Sequence, residues 1–287
     1  MDISKYRIEP DSDFKLSDLK TDQTGKFGSK NETEKRLAEN VEKMDKLQSK
    51  LYAQDKYALL IIFQGIDTAG KDGAIKHVMS GLNPQATNVH SFKQPSAEEL
   101  NHEYLWRAAK NLPERGLIGI FNRSYYEEVL VVRVHDLVKN EQIPEVLITK
   151  DIWKDRFRQI RNFEQYLYEN GIITIKFFLH ISKEEQKNRL LERIEDKAKN
   201  WKFEAGDINE RHYWEQYQLN YQDAIEATST KQVPWYVIPS DKKWFARLIV
   251  SEVIVKTMES LKLEYPIISK KQKVILKGLK QLLLKRE

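Results

Sequence analysis

Short apolar runs alternate along the chain with longer segments in which apolar residues recur every three or four positions. The run at 57–63 is continuously apolar, which is typical of a strand that is buried on both faces of a parallel sheet. Further strands are predicted at 87–92, 116–121, 172–179 and 235–238. The amphipathic and charged segments between them predict helices. Five strands separated by helices predict an α/β fold built on a doubly wound, parallel, five-stranded sheet.

The same pattern divides the chain into three parts. Residues 1–30 are polar, and we expect them to form an extended or loosely attached arm. Residues 31–265 contain the predicted strands and helices and form the main domain. Residues 266–287 predict a basic amphipathic helix, whose apolar face would pack on the chain's own core, on a second subunit or on an anionic membrane. We favour packing on protein.

Helices are predicted throughout the main domain. They lie at about 31–54, 71–79, 96–111, 152–169 and 242–261. A further helix is predicted to start at about residue 125, and two more lie within 182–228.

Composition and charge exclude several classes of function. The chain has no cysteine, so disulfides and thiolate metal sites are ruled out. The N-terminal segment has no apolar h-region and no apolar run approaches a bilayer span, so we expect a cytoplasmic protein with no membrane partner. The net charge is +5, but seven basic residues and one acidic residue follow residue 269, which leaves −1 for residues 1–269. We therefore expect no nucleic-acid partner.

A glycine-containing loop links the first predicted strand to its helix. Its sequence is Gly65-Ile66-Asp67-Thr68-Ala69-Gly70-Lys71-Asp72-Gly73. The spacing from Gly65 to Gly70-Lys71 is that of a Walker A motif, in which backbone N–H groups and the helix N-terminus bind phosphate. Lys71 would neutralise the oxygens of the transferred group. The alternative is a tight strand-to-helix turn with a solvated lysine.

Two carboxylates in this loop depart from the usual motif. Asp72 occupies the position where Ser or Thr normally binds magnesium, and Asp67 lies among the phosphate-binding residues. An unpaired anion beside phosphates is costly, whereas Mg²⁺ prefers oxygen ligands. We therefore predict that Asp67 binds metal or the acceptor. Asp72 either shares that role or offsets the positive end of the helix dipole.

A second polar cluster follows the strand predicted at 116–121. Its sequence is Asn122-Arg123-Ser124-Tyr125-Tyr126-Glu127-Glu128. The carboxyl end of a central strand is where open α/β sheets place ligand-binding groups. Arg123 can donate to two phosphate oxygens, and Glu127 and Glu128 are candidates for a second magnesium contact. Arg133 is either a further phosphate ligand or a partner in a surface ion pair.

A third charged stretch predicts a mobile lid at about 186–205. Arg189 and Arg193 are four residues apart and so share one helical face, which would suit closure over phosphates. The alternative is a charged helix exposed to solvent. The other polar or aromatic residues of the stretch are Asp196, Lys199, Trp201 and Lys202.

Together, the segments 65–73, 122–127 and 193–203 resemble the polyphosphate kinase 2 family, with matching order and spacing over about residues 30–265. The resemblance implies a three-layer P-loop kinase fold, similar to thymidylate kinase, with a helical lid. It also implies reversible, Mg²⁺-dependent phosphoryl transfer between inorganic polyphosphate and AMP, ADP or ATP. Guanine nucleotides and Mn²⁺ are open alternatives. The chain is similar to the subgroup that accepts both nucleoside mono- and diphosphates, with Glu127 compensating for Asn122, where many members have a metal-binding aspartate.

The resemblance also implies roles for individual residues. Asp67 would bind metal and position the acceptor, with Glu127 as a second metal ligand. Lys71 and Arg123 would bind phosphates. The lid would contribute phosphate contacts and further polar groups, namely Arg189, Arg193, Asp196 and Lys202.

Other expectations are less specific to the motifs. Lys76, His77 and Lys93 could line a path for the long polyanion, although each is also compatible with a solvated surface. We expect a homo-oligomer, either a dimer or a tetramer. Two rival functions remain, an ATP-dependent nucleoside monophosphate kinase and a non-catalytic module that binds polyphosphate or nucleotide.

Overall fold

A six-stranded sheet forms the centre of the computed structural model, which describes residues 1–198, 200–202 and 206–284. The strand order is β1-β6-β5-β2-β4-β3. Strands β2 to β6 are parallel, and β1 is antiparallel to β6. The strands are β1 (Arg7–Ile8), β2 (Ala58–Gln64), β3 (Thr87–Ser91), β4 (Ile118–Asn122), β5 (Ile172–His180) and β6 (Trp235–Pro239).

The prediction of a parallel five-stranded sheet is therefore wrong in one respect. All five predicted strands are present and parallel, but a sixth strand, β1, pairs with the edge of β6 and makes the sheet mixed. A strand of two residues is too short to display a period-two pattern in the sequence. Its pairing accompanies the burial of Tyr6 and Ile8 in the core of the domain.

The described part of the chain contains eleven α-helices. Helix α10 packs against α1 and α2, whereas α6 packs against β5 and α9. Because β2 is buried along its whole length, both of its faces are covered. The helices are α1 (Lys30–Gln54), α2 (Lys71–Val78), α3 (Ala97–Leu100), α4 (Trp106–Ala109), α5 (Val131–Val134), α6 (Ile152–Glu169), α7 (Lys183–Glu195), α8 (Gly206–Glu210), α9 (Trp214–Thr228), α10 (Lys243–Ser260) and α11 (Lys270–Leu284).

The long helix predicted at 96–111 is interrupted. Ser96 and Glu99 form a capping box that starts α3, and α3 ends after about one turn at Leu100. The Glu103 carboxylate then accepts a hydrogen bond from the backbone N–H of Leu105 at 2.7 Å. This local bond competes with continuation of the helix and precedes the separate helix α4.

The N-terminal arm is packed on the domain instead of being loosely attached. Besides the pairing of β1, the Thr21 hydroxyl donates to the Asp241 carboxylate at 2.7 Å, just beyond the end of β6. The same carboxylate accepts from the backbone N–H of Ser182, the residue before α7, at 2.8 Å. The arm thus helps to fix two of the elements that border the site described below.

The C-terminal helix α11 follows the predicted range and contains no buried residue in its described length. Its apolar side chains, including Ile275, Leu279 and Leu282, are all exposed. Packing on the chain's own core is therefore not seen. None of the helices that the structure describes combines the length and apolar character needed to cross a membrane.

Candidate active site

A cavity of about 780 Å³ opens at the carboxyl ends of the parallel strands. The loop after β2 and the start of α2 form its floor, and the ends of β4, β5 and β6 border it. Helix α7 and the first two turns of α10 provide further walls. This is the edge at which open α/β sheets bind ligands. Five of the residues predicted from the sequence line this cavity, namely Asp67, Lys71, Arg123, Arg189 and Arg193.

The loop backbone adopts conformations that ordinary residues avoid. Gly65 and Gly70 have φ angles of +155° and +107°. A Cβ at Gly65 would lie 3.0 Å from the carbonyl oxygen of Leu179, so the close approach of β5 also requires glycine. Thr68, a β-branched residue, has φ of +64°, which is an uncommon and costly conformation. Strain of this kind concentrates at ligand-binding sites.

Lys71 begins α2 and turns back over the loop. Its Nζ donates to the carbonyl oxygens of Gly65 at 2.6 Å and Ile66 at 3.3 Å, and the residue is 8% exposed. Burial, together with the nearby positive charge of Arg123, lowers the pKa of Lys71 to about 8. An anion in the cavity would favour the charged form of this amine. The arrangement suits a phosphate ligand.

Arg123 lies between two carboxylates. Its Nη2 donates to Asp67 at 2.5 Å and its Nη1 to Glu127 at 3.2 Å. The charges of Glu127 and Asp67 together raise the pKa of Arg123 despite burial. Arg123 also has a positive φ of +64°, at the point where the chain leaves β4. Three predicted site residues are thus brought together, as the sequence led us to expect.

The pair formed by Asp67 and Arg123 borders two cavities. Both residues line the large cavity, and both also line a much smaller one of about 30 Å³. Glu127 lines only the smaller cavity, together with the aromatic side chains of Trp214, Tyr217 and Tyr221 from α9. Sequence reasoning missed these aromatic residues, although their spacing places them near one face of a helix.

The candidate metal ligands are few. Asp72 lines the large cavity and accepts a hydrogen bond from the Asn122 amide at 2.8 Å. In the described residues, no group of three or more acidic or histidine side chains is arranged to hold a metal ion. Mg²⁺ is nevertheless commonly bound by one or two carboxylates, with water and substrate phosphates completing its shell. Asp67, flanked by Asp72 and Glu127 in the two cavities, fits that requirement.

Arg189 occupies a different position from the one expected of a phosphate contact. Its guanidinium donates to the carbonyl oxygens of Thr68, Ala69, Ser240 and Asp241, and its Nε donates to the carboxylate of Glu185. All five N–H donors of an arginine are thereby used. Arg189 lines the cavity but ties α7 to the phosphate-binding loop and to the end of β6.

Of the remaining residues of the predicted lid, the structure describes Arg193, Asp196 and Trp201. Arg193 and Trp201 line the cavity, and Asp196 follows the last residue of α7. The side chain of Lys202, the residue Lys199 and the segment 203–205 lie outside the described residues. Whether these groups contact phosphate stays a prediction.

Other predicted residues lie away from the large cavity. Arg133 forms an ion pair with Asp223 at 2.8 Å and borders a separate surface pocket. Glu128 is buried beside Arg156, and burial raises its pKa to about 7. Lys93 lines the large cavity, whereas Lys76 and His77 are exposed on α2.

Two cavity-lining cations were not predicted. Lys243 and Arg247 lie in the first two turns of α10 and face the cavity. The sequence could have indicated both cations. Helix α10 directly follows β6, so its first turns must lie at the carboxyl edge of the sheet.

Comparisons with known proteins find relatives that match most of the chain. A family model described as polyphosphate kinase 2 matches residues 28–266. The chain is 51% identical over 261 residues to an ADP-polyphosphate phosphotransferase of Rhodopseudomonas palustris, with 90% of each chain covered. It is 43% identical over 265 residues to an AMP/ADP-polyphosphate phosphotransferase of Meiothermus ruber, with 92% of this chain and 96% of the relative covered. The crystal structure of polyphosphate kinase 2 from Arthrobacter aurescens is similar at a TM-score of 0.86 and 35% identity, covering 96% of this chain and 95% of that one.

Proposed function

The chain belongs to the polyphosphate kinase 2 family, and we propose that it moves the terminal phosphoryl group of inorganic polyphosphate to AMP and to ADP. It is a polyphosphate:nucleotide phosphotransferase. The observation that carries this function is the convergence of Lys71, Asp67 and Arg123 on one cavity above a phosphate-binding loop. Use of ADP is supported by the names of both relatives, and use of AMP by the name of the Meiothermus ruber relative. Guanine nucleotides are further candidate acceptors of the phosphoryl group.

The proposed reaction exchanges one bond for another at phosphorus. The bond between the terminal phosphorus and its bridging oxygen breaks, and a bond forms from that phosphorus to an oxygen of the acceptor phosphate. The acceptor oxygen is ionised at neutral pH, so no strong general base is required. The shortened polyphosphate leaves as an anion, and the reverse reaction follows the same path.

The residues of the site supply positive charge and alignment, which are the main requirements of phosphoryl transfer. Lys71 would bind oxygens of the transferred group. Arg123, fixed between Asp67 and Glu127, would orient a phosphate at the boundary of the two cavities. The lid cation Arg193 would approach from α7. We propose Asp67 and Glu127 as the ligands of Mg²⁺, or of Mn²⁺ in its place, which when bound would neutralise charge on the reacting phosphates.

We propose that the sheet and helices form a three-layer P-loop kinase fold similar to thymidylate kinase, with a lid at about 186–205. The division into an arm at 1–30, a kinase domain at 31–265 and a C-terminal helix at 266–287 is proposed with it. A homo-oligomer also stays a prediction, which light scattering on the purified protein would test.

A turnover assay distinguishes the proposed function from its rivals. Purified protein is supplied with polyphosphate, Mg²⁺ and either ADP or AMP, in the absence of ATP, and the products are separated by chromatography. We expect ATP from ADP, and ADP followed by ATP from AMP. The Lys71→Ala variant should lose activity by about two orders of magnitude or more, because transition-state charge is left unneutralised, while keeping the fold.

The rival functions give different results in the same assay. A kinase that requires ATP would form no product from polyphosphate but would phosphorylate AMP when ATP is added. The presence of Asp72 in place of Ser or Thr argues against that enzyme. A non-catalytic module would bind polyphosphate without turnover. Wild-type turnover by Lys71→Ala would show that the phosphate loop has been assigned wrongly.

A further inference from the structure

The last residue of β2 is polar and wholly buried. Gln64 ends a strand whose preceding residues, 58–63, are all apolar, and its side chain has no exposed surface. A buried amide is costly unless its polar atoms are hydrogen-bonded. Because Gln64 directly precedes the phosphate-binding loop, the groups that satisfy its side chain lie next to the candidate active site.

The Gln64 amide joins the end of β2 to the turn that follows β4. Its nitrogen donates to the Oε1 atom of Glu127 at 2.9 Å, and its oxygen accepts from the backbone N–H and from the hydroxyl of Ser124, both at 3.1 Å. The partners determine this orientation, because the reverse one would direct the amide oxygen at the Glu127 carboxylate. One buried side chain therefore bonds to both ends of the segment from Ser124 to Glu127.

Glu127 is consequently held through both of its carboxylate oxygens. Oε2 accepts from Arg123 at 3.2 Å, and Oε1 accepts from Gln64 at 2.9 Å. The two donors come from the ends of neighbouring strands, β4 and β2, so together they fix the direction of the carboxylate. Glu127 lines the small cavity and does not line the large one. The two bonds therefore keep its negative charge at the small cavity.

The turn that carries Glu127 is anchored separately in the core. The hydroxyl groups of Tyr125 and Tyr126 donate to the Glu164 carboxylate of α6 at 2.9 and 2.8 Å. Lys176 of β5 donates to the same carboxylate at 2.7 Å. These four residues are buried and line neither cavity, so their bonds restrain the backbone of the turn away from any ligand. With the backbone fixed, the remaining freedom of Glu127 is that of its side chain.

We propose that Gln64 is a positioning residue for Glu127 and thereby influences the choice between AMP and ADP. The amide holds one carboxylate oxygen while Arg123 holds the other, so the charge stays on the side where Arg123 would orient the acceptor phosphate. Gln64 lines neither cavity and acts through Glu127 without touching substrate. AMP brings one phosphate fewer than ADP and should depend more on this carboxylate. The assignment rests on the proposed function and adds to it a residue outside the cavities.

The test is a double-mutant cycle. Gln64→Met keeps a side chain of similar size but removes the donor to Glu127, and it is made both in the wild type and in Glu127→Ala. Steady-state rates are measured with polyphosphate and either AMP or ADP. In the wild type, we expect Gln64→Met to lower kcat/KM about tenfold for AMP and about threefold or less for ADP, the loss of one hydrogen bond to a charged group. In Glu127→Ala, the same substitution should change either constant by about twofold at most, because no carboxylate remains to be held.

Gln48→Met is the matched control for the loss of a buried amide. Gln48 is a buried glutamine of α1 that donates to the Thr87 hydroxyl at 2.8 Å, accepts from the backbone N–H of Asn83 at 2.8 Å and lines neither cavity. Its replacement should lower the melting temperature while leaving the ratio of kcat/KM for AMP and ADP at the wild-type value. Equal losses of the two acceptors in Gln64→Met, no loss with either, or equal losses in the two backgrounds would overturn the role of Gln64.

A second readout requires no turnover. Denaturant unfolding of the wild type, the two single variants and the double variant measures the contact directly. If the amide bonds to the carboxylate, the double variant should lose less stability than the two single losses added together. Additive losses would show that Gln64 does not hold Glu127. If the wild type shows no turnover at all, the proposed function fails, whereas the unfolding cycle and equilibrium binding of AMP and ADP to Gln64→Met still test the positioning role.

Discussion

The Arg123 guanidinium donates to the Asp67 carboxylate at 2.5 Å, joining the end of β4 to the phosphate-binding loop. The two residues are separated by 56 positions in the chain and meet because β2 and β4 are parallel neighbours. The pair separates a large polar cavity from a small one lined by aromatic residues. A carboxylate that is held this way can bind a metal ion without becoming an uncompensated charge when the metal leaves.

The first prediction concerns the charge of Asp67. Asp67→Asn keeps the shape of the side chain and an acceptor for Arg123 but removes the negative charge. We expect kcat to fall about 100-fold and the Mg²⁺ concentration for half-maximal activity to rise, since the metal would lose one of its two proposed ligands. Titration of activity with Mg²⁺ measures both effects. An unchanged Mg²⁺ requirement would remove Asp67 from the metal site, and thermal unfolding provides the control for folding.

The second prediction concerns pH. Burial lowers the pKa of Lys71 from 10.5 to about 8, so the free enzyme loses this charge as pH rises through about 8. Neutral Lys71 binds phosphate less well, and kcat/KM for polyphosphate should therefore fall above that pH. Lys71→Arg keeps its charge and should shift the fall to higher pH, whatever its absolute rate. A wild-type profile that stays level to pH 10 would contradict the assignment.

The Lys71 contribution to the free energy of unfolding should rise over the pH range in which kcat/KM falls. Between about 8 and 10.5, the unfolded chain retains the Lys71 proton that the folded chain has lost. The contribution of Lys71 to the free energy of unfolding therefore increases with pH in that window. A loss of activity that coincides with unfolding would point to another group. Thermal unfolding measured at each pH separates the two effects.

The third prediction concerns the choice of acceptor. Glu127 pairs with Arg123 at 3.2 Å on the side of the small cavity. AMP offers a single phosphate to metal and cations, so it should depend more than ADP on the protein carboxylates that position them. We expect Glu127→Ala to lower kcat/KM for AMP more than for ADP. Glu127→Gln controls for packing, and equal losses for the two acceptors would remove the subgroup assignment.

Much of the fold was predictable because the central strands are buried and continuous. Strand β2 is apolar from Ala58 to Phe63, and β5 is apolar at six of its nine positions, so each was visible in the sequence without knowledge of its neighbours. Strand β1 was not visible, because its two residues form a strand only through pairing with β6. The interruption after α3 depends on one side-chain bond of Glu103 and carries no periodic signal.

The site was predictable to the extent that it is local in sequence. The loop from Gly65 to Gly73 and the cluster after β4 each form one continuous motif, and they meet as expected. Arg247 and Arg189 show which parts of the site could not be predicted from the sequence. Arg247 has no motif around it and reaches the cavity only because α10 packs on α2. Four of the five hydrogen-bond partners of Arg189 are backbone carbonyl oxygens far away in the chain, which no side-chain pattern encodes.

The last prediction decides between two roles for Arg189. Lysine at this position keeps the charge but cannot form the five bonds that join α7, the phosphate loop and the end of β6. If Arg189 positions the loop, Arg189→Lys should lower the free energy of unfolding by about 2 kcal/mol, because buried carbonyl oxygens lose charged donors. Its kcat should fall with both short and long donors. Arg193→Lys is the matched control, since Arg193 lies one helical turn further along α7 and lines the cavity entrance. That control should raise KM for polyphosphate with little effect on unfolding. If Arg189→Lys instead unfolds like the wild type and raises KM in the manner of Arg193→Lys, Arg189 leaves its carbonyl partners and binds phosphate directly.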